Sequence, residues 1–356
     1  MRSPPQSAPR HDIAVYVGRF QPFHNGHLAL LQRALKEAPL CVVVLGSAHQ
    51  ARTPKNPFTW QERAEMIRQA LPEADHARLH FVPVRDYYNE TRWVQAVLDG
   101  VSRVAAEVRL HSPQVVMVGH FKDATSEYLR RFPGWQLISL DRMPTADATQ
   151  LRAALFATAD QPLRITLSAL VDQAPASTLG FLRSWACLPF FQELAQEWQR
   201  LQDDKARWAG SPYPPVFVTV DAVVRCAGQV LLIQRGHFPG KGLFAVPGGF
   251  IEQRETVYQS ALRELKEETH LNLLDHSMQL ALREVAVFDH PDRSLRGRVI
   301  THAHFFDLGE RELPEVQADD DAQAACWMPI DELLGMEDRF HDDHFHMLDH
   351  FFGLTA

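Results

Sequence analysis

The stretch Gly248-Gly-Phe-Ile-Glu-Gln-Arg-Glu-Thr-Val-Tyr-Gln-Ser-Ala-Leu-Arg-Glu-Leu-Lys-Glu-Glu-Thr-His-Leu271 reads as a glycine turn feeding one helix. Thr256 and Gln259 have the spacing of a capping box, in which a hydroxyl and an amide each satisfy an orphan backbone N–H. Val257, Ala261, Leu262 and Leu265 recur at helical spacing, so one stripe is expected to face a core. Glu264, Glu267 and Glu268 stand at i, i+3 and i+4 on another face. Carboxylates so placed repel by roughly 0.2–0.5 kcal/mol per pair even on an exposed helix. Glutamates interleaved with Arg263 and Lys266 also make an ordinary solvated face. A hard divalent cation with oxygen ligands would turn the same cluster into a site.

The surrounding spacing favours the second reading. Gly249, five residues, Glu255, seven residues and then Arg263-Glu-Leu-Lys-Glu-Glu268 resembles the Nudix box of nucleoside-diphosphate-X hydrolases. The resemblance implies an α/β/α Nudix domain in which Glu264, Glu267 and Glu268 hold Mg²⁺ or Mn²⁺ and Gly249 belongs to the ADP-ribose site. One position departs, because His270 stands where the family usually has Gly. A left-handed helix cap is expected there, at a cost of order 1 kcal/mol for a non-glycine residue. Val216–Val224 and Gln229–Gln234 are β-rich runs around an Ala227-Gly228 turn, and Arg283–Phe288 and Val299–Phe306 are further expected strands. The connection between the last two carries Arg293, Arg296 and Arg298. Arg293 and Arg298 are candidates for gripping a diphosphate by paired hydrogen bonds. Asp319, Asp320 and Asp321 form an acidic loop, either a solvated turn or a source of one more carboxylate for the site.

At the other end of the chain, Ile13–Val17 is a short β-rich run that stops at Gly18, and Leu28–Lys36 reads as a helix. A strand, a glycine-bearing loop and a helix start form an anion site, because free N–H groups and the helix dipole point at the ligand. The loop matches neither a Walker motif nor GxGxxG. Its string Gly18-Arg-Phe-Gln-Pro-Phe-His-Asn-Gly-His27 resembles the HxGH nucleotidyltransferases, and within them the archaeal-type NMN adenylyltransferases. Further family segments follow in order: Lys55-Asn-Pro-Phe-Thr59 with Glu62-Arg63, then Asn89 with Trp93-Val94, then Thr149-Gln-Leu-Arg152. The resemblance assigns phosphate and catalytic work to Arg19, His24, His27 and Arg152. It assigns ATP and NMN binding to Gly18, Phe20, Gly26, Lys55, Asn89, Trp93 and Thr149. Trp93 is also readable as a core residue. Asp147 and His120 depart from the family pattern, which often has Ser and Asn there. Strands and helices alternating over residues 13–155 imply a doubly wound parallel sheet with its ligand crevice at the strands' carboxyl ends.

The composition is that of an ordinary globular protein: 356 residues, 46% hydrophobic, 22% charged, net charge −8. That length predicts two domains, and that charge counts against general nucleic-acid binding, which needs a basic footprint. Cys41, Cys187, Cys226 and Cys326 form no CxxC pair, so neither a zinc ribbon nor a disulfide framework is expected. No apolar run reaches membrane-span length. Together these predict a cytoplasmic protein. Residues 1–11 read as a mobile tail, 12–177 as the nucleotidyltransferase domain, 178–210 as a helical connector ending at a proline cluster, and 211–356 as the Nudix domain. The histidine-rich segment Phe340–Phe352 reads as a docking helix with exposed histidines.

The fold class expected is therefore α/β, a Rossmann-like parallel-sheet domain followed by a Nudix domain. The family resemblances imply a bifunctional enzyme of NAD metabolism. NMN and ATP would give NAD and pyrophosphate, and ADP-ribose would be hydrolysed to AMP and ribose 5-phosphate, with Mg²⁺ or Mn²⁺ at both sites. A homo-oligomer is left open. The alternatives are a transferase for another phosphate acceptor, and a Nudix domain that senses ADP-ribose or cleaves another nucleoside-diphosphate derivative.

Overall fold

The computed structural model describes residues 11–120, 129–140, 148–157, 167 and 170–355. The chain divides into two compact units between Ala195 and Gln196. The division lies inside the helix Phe190–Trp208, upstream of the proline cluster.

In the first unit, β1 (Ile13–Gly18), β2 (Leu40–Leu45), β3 (Leu79–Pro83), β4 (Val115–Gly119) and β5 (Gln136–Ser139) form one parallel sheet in the order β3-β2-β1-β4-β5. Helices α1 (Asn25–Glu37), α2 (Trp60–Gln69), α3 (Glu73–His76), α4 (Glu90–Glu107) and α5 (Ala148–Phe156) connect the strands or follow them. Ile13, Val15, Val42, Val44 and Met117 pack with Val97, Val101 and Val104 of α4 into one core. Near-continuous β-branched runs are what a sheet buried on both faces requires. Strand order reverses between β1 and β4, so the loops after Gly18 and Gly119 open the crevice where such sheets bind ligands. Helix α6 (Ala176–Trp185) docks on this unit, with the Trp185 ring 4.7 Å from that of Phe58 and its Nε1–H donating to Glu62 at 3.2 Å.

The second unit is built on a mixed sheet. β6 (Val216–Cys226) and β7 (Gln229–Arg235) pair through the expected turn, with Ala227 and Gly228 both at positive φ (46° and 72°). β8 (Phe244–Ala245) and β9 (Gly248–Phe250) add to β7 and β6. β10 (Leu282–Phe288), β11 (Arg298–Asp307) and β12 (Ala322–Pro329) complete the order β10-β11-β6-β7-β12, with β11 parallel to β6. Side chains of β6 alternate between two cores, as the period of a strand dictates. Val223 packs with Phe345 and Leu348 of the C-terminal helix, whereas Ala222 and Val224 pack with Leu265 and Met278. The C-terminal histidines depart from expectation. His341 and His344 are buried, and His344 Nδ1 accepts the Val246 N–H at 3.2 Å, whereas His350 is exposed. Among the described residues no helix is long and apolar enough to cross a membrane.

The helix α7 (Phe190–Trp208) brings Glu197 into the second unit, where burial raises its pKa from 4.5 to about 7 against a bond from the Gly240 backbone. Between those values the unfolded chain has released a proton that the folded one retains, so stability falls as pH rises. Glu197→Gln removes that slope. The melting temperature of the variant is expected to gain on wild type between pH 5 and pH 8; a constant difference would remove Glu197 from the pH dependence.

Candidate active sites

In the first unit the loop after β1 delivers two histidines to the start of α1. His24 is the N-cap, and the pair caps reciprocally: His27 N–H donates to His24 Nδ1 at 3.4 Å, and His24 N–H to His27 Nδ1 at 3.3 Å. The rings stack at 3.6 Å. Each Nδ1 accepts, so each neutral ring carries its proton on Nε2, a tautomer assigned from this hydrogen-bond pattern. Burial, and then the nearby His24, holds His27 well below the ordinary histidine range. Two Nε2–H donors at a helix N-terminus suit phosphate oxygens.

Around them runs a scaffold that sequence reasoning did not assign. Arg63 is fully buried and donates to the carbonyls of Arg19 at 2.6 Å, Gly46 at 2.7 Å, Ser47 at 3.2 Å and Thr59 at 3.3 Å. Burial lowers its pKa to about 10, against the pull of Asp86 and Glu62, so the guanidinium keeps its charge at neutral pH. Gln21 exchanges two hydrogen bonds with the Phe58 backbone, at 2.8 and 3.0 Å. Asp86 holds Ser47 through its N–H at 3.1 Å and its hydroxyl at 2.5 Å. One cation, one amide and one carboxylate thus tie the loops after β1, β2 and β3 together. A signal existed for Arg63: it precedes Ile67 by four residues on the buried stripe of α2.

The candidate residues divide. Arg19 is exposed at the carboxyl end of β1. Arg152 donates to the Gln21 carbonyl at 2.5 Å and to Thr149 Oγ1 at 3.2 Å, which brings α5 onto the histidine loop. Gly26 lies in the first turn of α1, and Lys55 is half-buried in the loop before α2. Asn89 caps α4, its Oδ1 accepting the Arg92 N–H at 3.0 Å. Trp93 in the first turn of α4 is partly buried against the core, edge-on to Phe132 at 6.1 Å. Phe20 is 1% exposed, and its ring packs at 5.1 Å from Tyr16 and 5.0 Å from His27. Gly18 serves that ring, since a Cβ there would lie 2.7 Å from it. Asp147 falls outside the described residues. His120 follows β4, and its Nδ1 bonds the Leu140 carbonyl at 2.8 Å.

In the second unit the helix α8 (Val257–Thr269) starts on the expected Thr256–Gln259 box and ends at His270 in the left-handed conformation (φ 51°). His270 Nε2 meets Asp319 Oδ2 at 2.8 Å, so the imidazole ties the acidic loop to the helix end, a bond that Gly could not make. Glu268 is on the buried face, and its Oε2 accepts the Gly248 N–H at 2.9 Å. Glu264 closes on Gly249, where a Cβ would lie 2.4 Å from Oε1; at Gly248 a Cβ would lie 2.3 Å from the Val220 carbonyl oxygen. Burial, with Glu264 adding, raises Glu268 to about 8, and burial also raises Glu264. Two desolvated carboxylates, one of which opposes the other's ionisation, are an oxygen donor set that fits a hard divalent cation.

The third carboxylate does not converge with them. Glu267 is turned to Arg263 Nη1 at 2.8 Å, and the same guanidinium also bonds Glu264 and Glu255, at 2.9 and 3.0 Å. Among the described residues no group of three or more His, Cys, Asp or Glu is arranged to hold a metal. Arg293 is 6% exposed, and its fork is occupied by Asp343 through two bonds of 2.8 Å. Arg298 is partly exposed and bonds the Asp289 carbonyl.

A Rossmann-like sheet with paired histidines at its first helix, followed by a glutamate-bearing helix on a mixed sheet, defines a nucleotidyltransferase joined to a Nudix hydrolase. A cytidylyltransferase-like model matches residues 15–133, and a NUDIX domain model matches residues 215–351. A nicotinamide/nicotinic acid mononucleotide adenylyltransferase of Acinetobacter baylyi is 37% identical over 196 residues, 54% of this chain and 96% of that protein. An ADP-ribose pyrophosphatase of Methanocaldococcus jannaschii is 39% identical over 116 residues, 33% of this chain and 63% of that protein. The solved structure of a bifunctional NMN adenylyltransferase/ADP ribose pyrophosphatase from Francisella tularensis, complexed with AMP and a Mn ion, superimposes with a TM-score of 0.86. It is 34% identical and covers 96% of this chain and 99% of that one. The chain belongs to this family of bifunctional NMN adenylyltransferase/ADP-ribose pyrophosphatases.

Proposed function

We propose that the first unit joins NMN and ATP into NAD and pyrophosphate, and that the second cleaves ADP-ribose to AMP and ribose 5-phosphate. The reciprocal His24–His27 cap is the observation that carries the first assignment. In this reaction the 5′-phosphate of NMN is itself the nucleophile, so the protein must align it with the ATP α-phosphorus and stabilise charge on phosphate oxygens. The two Nε2–H groups are fixed donors for that charge, and fixed donors cost no reorganisation as the reaction proceeds. Arg19, Lys55 and Arg152 add positive charge, and Thr149 adds a hydroxyl. Arg63, Gln21 and Asp86 hold the loops in place without touching substrate.

In the second unit Glu264 and Glu268 would hold a divalent cation, and Glu267 would join them by leaving Arg263. A bound cation supplies water activation and screens the diphosphate. The Gly248 N–H fixes one oxygen of Glu268, and Arg263 neutralises the outer carboxylates. In the first unit a divalent ion would screen the charge of the ATP phosphates, and no water would be activated there.

Trp93 supports the choice of NMN, because it packs against the core while remaining partly exposed. Trp93→Ala is expected to raise the KM for NMN several-fold and to leave the KM for ATP nearly alone. Equal changes in both, or a collapsed melting transition, would make it a core residue only. The whole proposal is tested by incubating the protein with Mg²⁺ and either NMN plus ATP or ADP-ribose, with products resolved by chromatography. Absence of NAD in the first mixture, or of AMP in the second, removes the corresponding assignment.

A further inference from the structure

His120 follows β4 at the point where strand order reverses, beside the crevice that β1 and β4 open. Its Nδ1 lies 2.8 Å from the Leu140 carbonyl oxygen. A carbonyl oxygen has no hydrogen to give, so Nδ1 carries the proton. The neutral ring is then left with a lone pair on Nε2. That atom is buried and has no hydrogen-bond partner among the described residues. A buried polar atom without a partner is uncommon and costly, and beside a ligand crevice a bound ligand can supply the missing group. The adjoining wall leads to the base-binding candidates. Gly119 packs on Leu129, and Phe132 packs edge-on against Trp93.

We propose that His120 Nε2 accepts a hydrogen bond from the exocyclic amino group of a bound base. The donor is either the carboxamide of NMN or the 6-amino group of ATP. This rests on the NMN and ATP reading above. Either donor makes His120 a specificity residue. A nicotinate carboxylate or a 6-oxo purine in the same place would set an oxygen lone pair against the nitrogen lone pair. A site built to bond an N–H group rejects an analogue that lacks it.

The test measures kcat/KM for two pairs of substrates: NMN against nicotinate mononucleotide with ATP fixed, and ATP against inosine triphosphate with NMN fixed. Wild type, His120→Phe and His120→Asn are compared. In one pair wild type favours the amino substrate, and His120→Phe lowers that ratio by about 10- to 100-fold. The other ratio stays unchanged, and the pair that moves identifies the base. His120→Asn restores much of the preference, because its amide can donate to Leu140 and still present an oxygen. Wild-type ratios within twofold of unity in both pairs overturn the proposal without any variant. So does a folded His120→Phe protein with both ratios intact. Failure of wild type to make NAD from NMN and ATP is seen in the same assay and strikes the parent reading instead.

Discussion

Replacement of both Glu267 and Glu268 by Gln is expected to lower ADP-ribose hydrolysis by several orders of magnitude and to leave NAD synthesis within about twofold, the spread allowed for independent sites. Glutamine at 268 keeps the oxygen that accepts the Gly248 N–H, and it removes a charge that burial and Glu264 already disfavour. Folding of the second unit should therefore survive. Glutamine at 267 releases only one of the three carboxylates bonded to Arg263. What disappears is the anionic character that a divalent cation needs from its oxygen ligands. A second readout separates this from misfolding: Mn²⁺ should raise the melting temperature of wild type but not of the double variant. Full retention of hydrolysis would remove these glutamates from the mechanism. A matching fall in NAD synthesis would show that the two sites are coupled.

His27→Ala is expected to lower kcat for NAD synthesis by about 10²–10³-fold, the usual result of removing one preorganised donor. KM for ATP should change far less, since the donor acts on charge that develops during the reaction. The same change deletes half of a capping box, which costs about 0.5–2 kcal/mol of stability. His27→Gln separates the two effects. A Gln at this position of the helix can bond back to the His24 N–H, as Glu62 and Gln259 do in their own boxes, while the fixed Nε2–H is still absent. If His27→Gln restores the melting temperature but not kcat, the imidazole is catalytic. If it restores both, His27 is only a cap.

Much of this was legible because short-range rules decide it. The capping box at Thr256, the left-handed cap at His270 and the turn at Ala227-Gly228 each depend on neighbours within four residues. The parallel sheet followed from alternating apolar runs. Side-chain partners did not follow, since they depend on residues far apart in the chain. Arg293 and Asp343 are separated by 50 positions and Arg63 and Arg19 by 44. A loop arginine looks the same in sequence whether it meets a phosphate or a buried aspartate. The packing of Phe20 was equally hidden: it lies inside the HxGH loop, yet its ring completes the core against Tyr16 and His27.

The paired glycines before α8 differ in what they guard. Neither has a positive φ, so what each contributes is room. A methyl group at Gly248 would strike the backbone of β6 and disturb the architecture. At Gly249 it would meet only the tip of a flexible acidic side chain, which can swing aside at little energetic cost. A descendant of this chain bearing Ala at 249 would fold, keep every glutamate of the helix and still have Glu264 displaced from its seat. Loss of hydrolysis in such a lineage would begin with a single carbon atom on the strand, before any acidic residue had changed.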